Sequence, residues 1–507
     1  MWGYWCFDTH IKDNRSTNSL TASTNKKKIS FLVLDQGTSS TKSFLFDIQG
    51  TLEHSAKIKH SLTRPAPYHV ECDPITILEA CRSLIDQALS VVKAKGGTIQ
   101  SMGLAVQRST FLFWENKSIE PRTQALSWQD SRAHSIIKDF EPHKNQIKRI
   151  TGTPLSAHFG GPKFLHCLIE DRTLKQEVLS GNILFGPLSA FLTHALTGTP
   201  AVDESIACRS LLFNLSTGKW SEKLLDLFQV PRSCLPELVP IKHSFGTIVP
   251  GNIQLQCVVG DQQAALIGQG GRKIGTLAMN FGTSGSVQFN VGRRPALVPG
   301  LISSILTSSN TDKIYMVEGT INACNSLFYH LEKKLNIPHE QMHWHKRCQE
   351  RKTNGVFIPG FTGLAAPYWT SGFPDIYEGI DTSDPNDIIR AGMESIGLLT
   401  YDILEQIKPI ATSWPKKLTA SGGGARPPLL QFIADLTNLP VCHSTMKDRT
   451  AYGVYQLIRP KEKNLSKFEE SYFDLIFHPS LAKDQQKSKV NRWHKALGTA
   501  GLIKNGQ

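Results

Sequence analysis

The chain is 507 residues long, 40% hydrophobic and 20% charged, with a formal net charge of +13. That length exceeds what one hydrophobic core supports, so two domains of about 200–250 residues are expected, and the composition is ordinary for a globular protein. No run approaches the roughly 18 uncharged apolar residues of a membrane span, and the basic residues are spread out apart from Lys26, Lys27, Lys28 and a basic C-terminal tail, which argues against a nucleic-acid partner.

The first 28 residues lack the apolar core of a signal peptide and are polar after Phe7, so a disordered extension outside the fold is expected. A buried strand at Phe31 to Leu34 opens the fold. The turn Gly37-Thr38-Ser39-Ser40 and a second strand from Lys42 to Asp47 follow it. Such a turn can aim backbone N–H groups and hydroxyls at one phosphate without a helix N-terminus. Asp35 at its edge can hold Mg²⁺ directly or through water, or merely bond its own turn backbone. Lys42 can counter phosphate charge, or stand as a solvated strand residue.

A helix is expected next, with Asp73 as cap, Pro74 at its first position, apolar spacing from Ile77 to Val92, and Gly96-Gly97 as its stop. The strand Met102 to Val106 then makes the domain α/β. Arg108, Trp128, Gln129 and Asp130 suit a small polyhydroxyl ligand, the indole packing on C–H faces; Trp128 as a core residue is the competing reading.

Farther on, the strand Leu255 to Val259 ends in Gly260-Asp261 before a helix from Gln262. A carboxylate at the C-terminal end of such a strand faces the ligand crevice, where it can take the proton of an attacking hydroxyl. A helix N-cap is the plainer alternative. The turn grammar then returns at Gly282, Thr283, Ser284 and Gly285 between two apolar strands, and a second long helix starts at Asp384-Pro385. Gly422, Gly423, Gly424 and Ala425 let a ring or phosphate approach the backbone closely. Two such turns suggest a duplicated fold closing on a nucleotide. The join is expected near Gly268 to Gly275, and the chain reads as a phosphotransferase. Its ten cysteines show no C-x-x-C and no metal-ligand spacing, which fits a reduced cytoplasm.

In chain order, LDQGTSSTK, YHVECDP, VQRST, SWQDSRA, GGPK, CRSLLFNLSTGKW, GDQQAALIGQ, NFGTSGS, FIPGFTGLAAPYW and GGGARPP resemble the FGGY carbohydrate kinases, and within them the glycerol kinases. The resemblance runs from about Ser30 to Leu497. It implies two ribonuclease-H-like domains of the actin and hexokinase type, with ATP in the cleft and a small polyol or sugar deep in the first domain. On that pattern residues 29–271 take the acceptor and carry a phosphate turn, residues 272–497 take the nucleotide, and 498–507 form a flexible end. Asp261 becomes the general base, with Asp35 and Asp261 near Mg²⁺. Gly37, Thr38, Ser39, Lys42, Gly282 and Thr283 lie at phosphates, and Gly423, Gly424 and Ala425 lie at the adenosine. Arg108, Trp128 and Gln262 match polyol-binding positions.

The departures gather on the acceptor side. Ser109 stands where the pattern has a Glu that binds hydroxyls, His158 where it has a Tyr, and Ser286 where it has an aromatic. His166 replaces a Trp, and Pro460 shortens the helix after Tyr452-Gly453, which is expected on the adenine side. A carboxylate missing from a hydroxyl-binding pocket costs about 1–3 kcal/mol, so an acceptor larger than glycerol or differently hydroxylated is expected. The competing readings are an inactive nucleotide- or metabolite-binding regulator of the same fold and an actin- or chaperone-like ATPase. The sequence allows a homo-oligomer.

Overall fold

The computed structural model describes residues 28–444, 448–460 and 473–503. All of the expected N-terminal extension except Lys28 lies outside them. The first sheet has six strands: β1 (Ile29–Gln36), β2 (Ser40–Asp47), β3 (Leu52–Lys59), β4 (Thr98–Val106), β5 (Thr247–Ile248) and β6 (Ile253–Gly260), in spatial order β5-β6-β4-β1-β2-β3. β1, β2 and β3 form an antiparallel meander, while β4 and β6 run parallel to β1. The second sheet holds β7 (Leu277–Phe281), β8 (Gly285–Gly292), β9 (Ile302–Ser308), β10 (Lys313–Ile321), β11 (Leu418–Ser421), β12 (Val441–Ser444) and β13 (Phe473–Phe477), in order β9-β10-β8-β7-β11-β12-β13.

The two sheets share one plan. β10-β8-β7-β11-β12 repeats β3-β2-β1-β4-β6, antiparallel through the hairpins and parallel thereafter. Both Gly/Thr/Ser turns therefore sit at the same place, between the first and second strands of their sheets. A hairpin fixes that position because its register follows from the turn.

Helix α1 (Pro74–Ala94) covers the first sheet. The Asp73 side chain accepts from the N–H groups of Ile75 and Thr76, and Ile77, Cys81, Leu84, Ile85, Ala88 and Val92 are buried along one stripe. After β6 come α2 (Asp261–Gly268) and, in the second domain, α3 (Asn325–Lys334), α4 (Pro385–Ile407), α5 (Pro427–Thr437) and α6 (Arg449–Ile458). The last of these crosses back to the first sheet. α6 packs on α2, β1 and β4 of the first sheet, with the Tyr455 ring 4.9 Å from that of Phe46 and its hydroxyl donating to the Ile48 carbonyl at 3.0 Å. The Tyr452 and Tyr455 rings meet those of Phe31 and Phe46 there, which fixes α6 on the first sheet.

Among the described residues no helix is long and apolar enough to cross a membrane. Nine cysteines there are buried and carry no disulfide.

Candidate active site

The first turn closes on itself, Gly37 N–H donating to the Ser40 carbonyl at 3.0 Å. Asp35 lies inside β1, paired along the backbone with Lys42 on one side and Ala105 on the other, so it is a strand residue and not a self-bonded turn Asp. Burial pushes its carboxyl up to about 6; Lys42 opposes this, and the charges of Asp261 and Asp448 add to it. The Lys42 ammonium reaches Asp448 Oδ1 at 3.4 Å. Trp128 is 40% exposed, which removes the core reading, and its indole N–H donates to Thr38 Oγ1 at 2.9 Å.

Asp261 opens α2, and Gly260 before it holds the cap position. The carboxylate accepts the Gln262 N–H at 2.8 Å and stands 3.6 Å from Arg108 Nε. Burial raises its pKa, against the pull of Arg108. Gln262 continues toward the second domain: Ser286 Oγ lies 3.4 Å from its Oε1, and Gln288 Nε2 donates to its carbonyl at 3.1 Å. Asp261, Arg108, Gln262 and Ser286 thus come together where the two sheets meet.

Ser109, Trp128 and His158 form the neighbouring wall. Ser109 is buried with φ +63°, a left-handed backbone that a serine adopts only under constraint. Its carbonyl is held by Lys163, wholly buried on the helix Gly160–Glu170, which donates to the carbonyls of Ser109 at 3.0 Å, Ser127 at 2.6 Å and Leu126 at 3.4 Å. His158, exposed on this wall, places Nδ1 3.2 Å from the Trp128 carbonyl. His166, farther along the Lys163 helix, is half-buried.

One sequence candidate does not join the site: Asp130 is fully buried and bound by Arg132 and the Val70 N–H, so it is structural. Gln129 Oε1 accepts from Arg64 at 2.9 Å.

The second turn rests on the start of α3. Gly282 and Thr283 carbonyls accept from the N–H groups of Asn325 and Cys324, and Gly424 N–H donates to the Phe281 carbonyl at 2.7 Å. Gly422 has φ +99°, and a Cβ there would stand 2.3 Å from that same carbonyl, so only glycine fits. Above Gly423 the space is nearly open, the nearest atom to an added Cβ being Asn325 Nδ2 at 3.9 Å. Ala425 is buried behind it.

Two partly accessible carboxylates, Asp35 and Asp261, whose charges repel each other in the folded chain, fit Mg²⁺, which takes one or two carboxylates and otherwise keeps waters and phosphate oxygens. Among the described residues no group of three or more His, Cys, Asp or Glu gathers into a protein-only cage.

Sequence reasoning missed Glu318, Arg209, Lys163 and Asp448 as site residues. Glu318 had a readable signal, a lone acid in the apolar strand KIYMVEGTI. Charges in such runs are buried only when paired.

Models of the FGGY family of carbohydrate kinases match the chain over residues 30–268, its N-terminal domain, and 277–457, its C-terminal domain. Glycerol kinase 1 of Thermotoga maritima is 32% identical over 83% of this chain and 89% of its own length. The chain belongs to the FGGY carbohydrate kinases. This FGGY kinase has the family's two-domain mixed α/β fold. It superposes on Plasmodium falciparum glycerol kinase with ADP at a TM-score of 0.87 and 26% identity, covering 94% of this chain and 99% of that one. Gluconate kinase of Lactobacillus acidophilus, at 21% identity and a TM-score of 0.82 over 95% of this chain and 99% of its own, shares the fold.

Proposed function

We propose that this FGGY kinase transfers the γ-phosphoryl group of ATP directly to a hydroxyl of a small polyol or sugar. One observation supports this most: Asp261, at the end of β6, stands against Arg108 and Gln262 where the two sheets meet. Asp261 takes the proton of the acceptor hydroxyl as that oxygen attacks the γ-phosphorus; the bond to the β–γ bridging oxygen breaks and ADP leaves. Arg108 and Gln262 orient the acceptor. The first and second turns and the triglycine loop receive the nucleotide, with Lys42 near its phosphates. Mg²⁺, held by Asp35 and Asp261, would neutralise phosphate charge.

Ser109, His158 and Ser286 make the acceptor wall smaller than the family pattern and remove a carboxylate from it, which supports an acceptor larger than glycerol or differently hydroxylated. Unbridged, buried cysteines agree with a reducing compartment such as the cytoplasm.

Replacing Asp261 with Asn is expected to cut acceptor-dependent ADP release by about 10²–10⁴-fold while MgATP still raises the melting temperature. Unchanged turnover would sink the assignment. Intact ATP binding without ADP release from any C3 to C7 polyol or sugar would favour the regulator reading.

A further inference from the structure

Glu318 sits in the interior of β10, flanked by the buried Met316, Val317 and Ile321, and is 1% exposed. A carboxylate in that setting is strongly unfavourable unless partners replace its water. Both of its cationic partners belong to the other domain. Arg108, just after β4, meets it with two N–H donors at 2.9 and 3.1 Å, the bidentate fork that gives geometry as well as strength. Arg209, itself 2% exposed, closes on Oε1. Burial alone would raise the Glu318 carboxyl, yet the two guanidinium groups hold it below the usual range. Burial and the repulsion of Arg108 bring Arg209 down to about 10.

The Nε side of the Arg108 guanidinium meets Asp261, with Nε 3.6 Å from Oδ1. Gly260 leaves room for this: an added Cβ would stand 2.8 Å from Arg108 Cδ. One hydrogen on each Nη goes to Glu318, so one on each remains for an acceptor. Gln288, on the adjacent strand β8, ties the same face of the second sheet to Gln262.

Resting on the reading of Asp261 as the base, we propose that Glu318 is a positioning residue that holds Arg108 against Asp261, so that the acceptor clamp is complete only when the second sheet is seated on the first. Arg209 balances the charge that Glu318 brings across. A site assembled by domain engagement discriminates between an acceptor hydroxyl and water, because the clamp orders only in the engaged form.

The test is ADP release from MgATP by the full chain, with a panel of C3 to C7 polyols and sugars that includes glycerol and gluconate, and with water alone. The readout is the ratio of the best acceptor rate to the water rate, which does not depend on the fraction folded. Glu318→Gln is expected to lower that ratio at least tenfold with the KM for ATP within about twofold. Where the single variant fails to fold, Glu318→Gln combined with Arg209→Met removes one charge of each sign, and the same loss is expected. An unchanged ratio in either variant, or a parallel fall of acceptor and water rates, overturns the proposal. No acceptor stimulation in the parent, or stimulation surviving in Asp261→Asn, overturns the base assignment and this proposal with it. Stimulation lost in Asp261→Asn but kept in Glu318→Gln overturns this proposal alone.

Discussion

Lys163 replaces the water around its ammonium with three backbone carbonyls, and through Ser109 and Ser127 it shapes the wall beside the candidate base. Burial lowers its pKa to about 7, with Asp130 pulling the other way. A lysine depressed in the fold contributes stability that is present above its unfolded pKa, near 10.4, and is lost as pH falls through about 7. Lys163→Met should therefore destabilise by about 1–3 kcal/mol, the penalty of stranding buried acceptors, with a larger gap to the parent at pH 9.5 than at pH 6.5. Urea unfolding at the two values checks this; a gap that is constant or widens toward acid would contradict it. Lys163 lies in the GGPK motif, yet nothing in the motif marks it as a site residue or tells which carbonyls it meets, since residues 109, 126 and 127 are distant in sequence. Asp261 is legible as a carboxylate closing a strand. Its pairing with Arg108, and that arginine's pairing with Glu318, depend on how the two sheets approach.

At the scale of elements, α2 carries Asp261 at its first turn and is held from behind by α6. The two helices meet backbone to backbone: a Cβ on Gly453 would lie 1.9 Å from the Ala264 carbonyl oxygen, and one on Gly268 would lie 2.0 Å from that of Arg449. α2 begins directly after the strand end at Gly260, so a displaced α2 pulls on that end. Gly453→Ala should therefore destabilise by about 1–3 kcal/mol or more, the range for overpacking a dense interior, and lower kcat because the displacement passes along α2 to Asp261. A thermal scan and steady-state kinetics on the same preparation check both; a lower Tm with unchanged kcat would break the link. The start of α1 is readable from Asp73 and Pro74 because a cap is a local hydrogen bond. The destination of α6 is not readable, because an apolar helical face specifies burial without specifying the partner.

For the whole molecule, the strand order of the first sheet returns in the second, and buried charges join the two domains at Arg108, Arg209 and Glu318. Lids and domains that close around substrates exclude water and complete the catalytic group. Small-angle scattering should show the radius of gyration falling when MgATP and an accepted polyol or sugar are added together, and less with either alone; an unchanged radius in all three states would argue for a permanently closed cleft. The sequence by itself determined the α/β class, the two Gly/Thr/Ser turns with their flanking strands, the caps and stripes of the long helices, and Asp35 and Asp261 as the acids to examine. Each of these is written in short-range spacing, where turn chemistry and periodicity act within a few residues. Only the tertiary structure decided that α6 returns to the first sheet, that Trp128 bonds the first Gly/Thr/Ser turn, and that a glutamate of the second domain pairs with the arginine beside Asp261. Those contacts join residues far apart in the chain, and their energies depend on burial and charge pairing that exist only after the two sheets have packed.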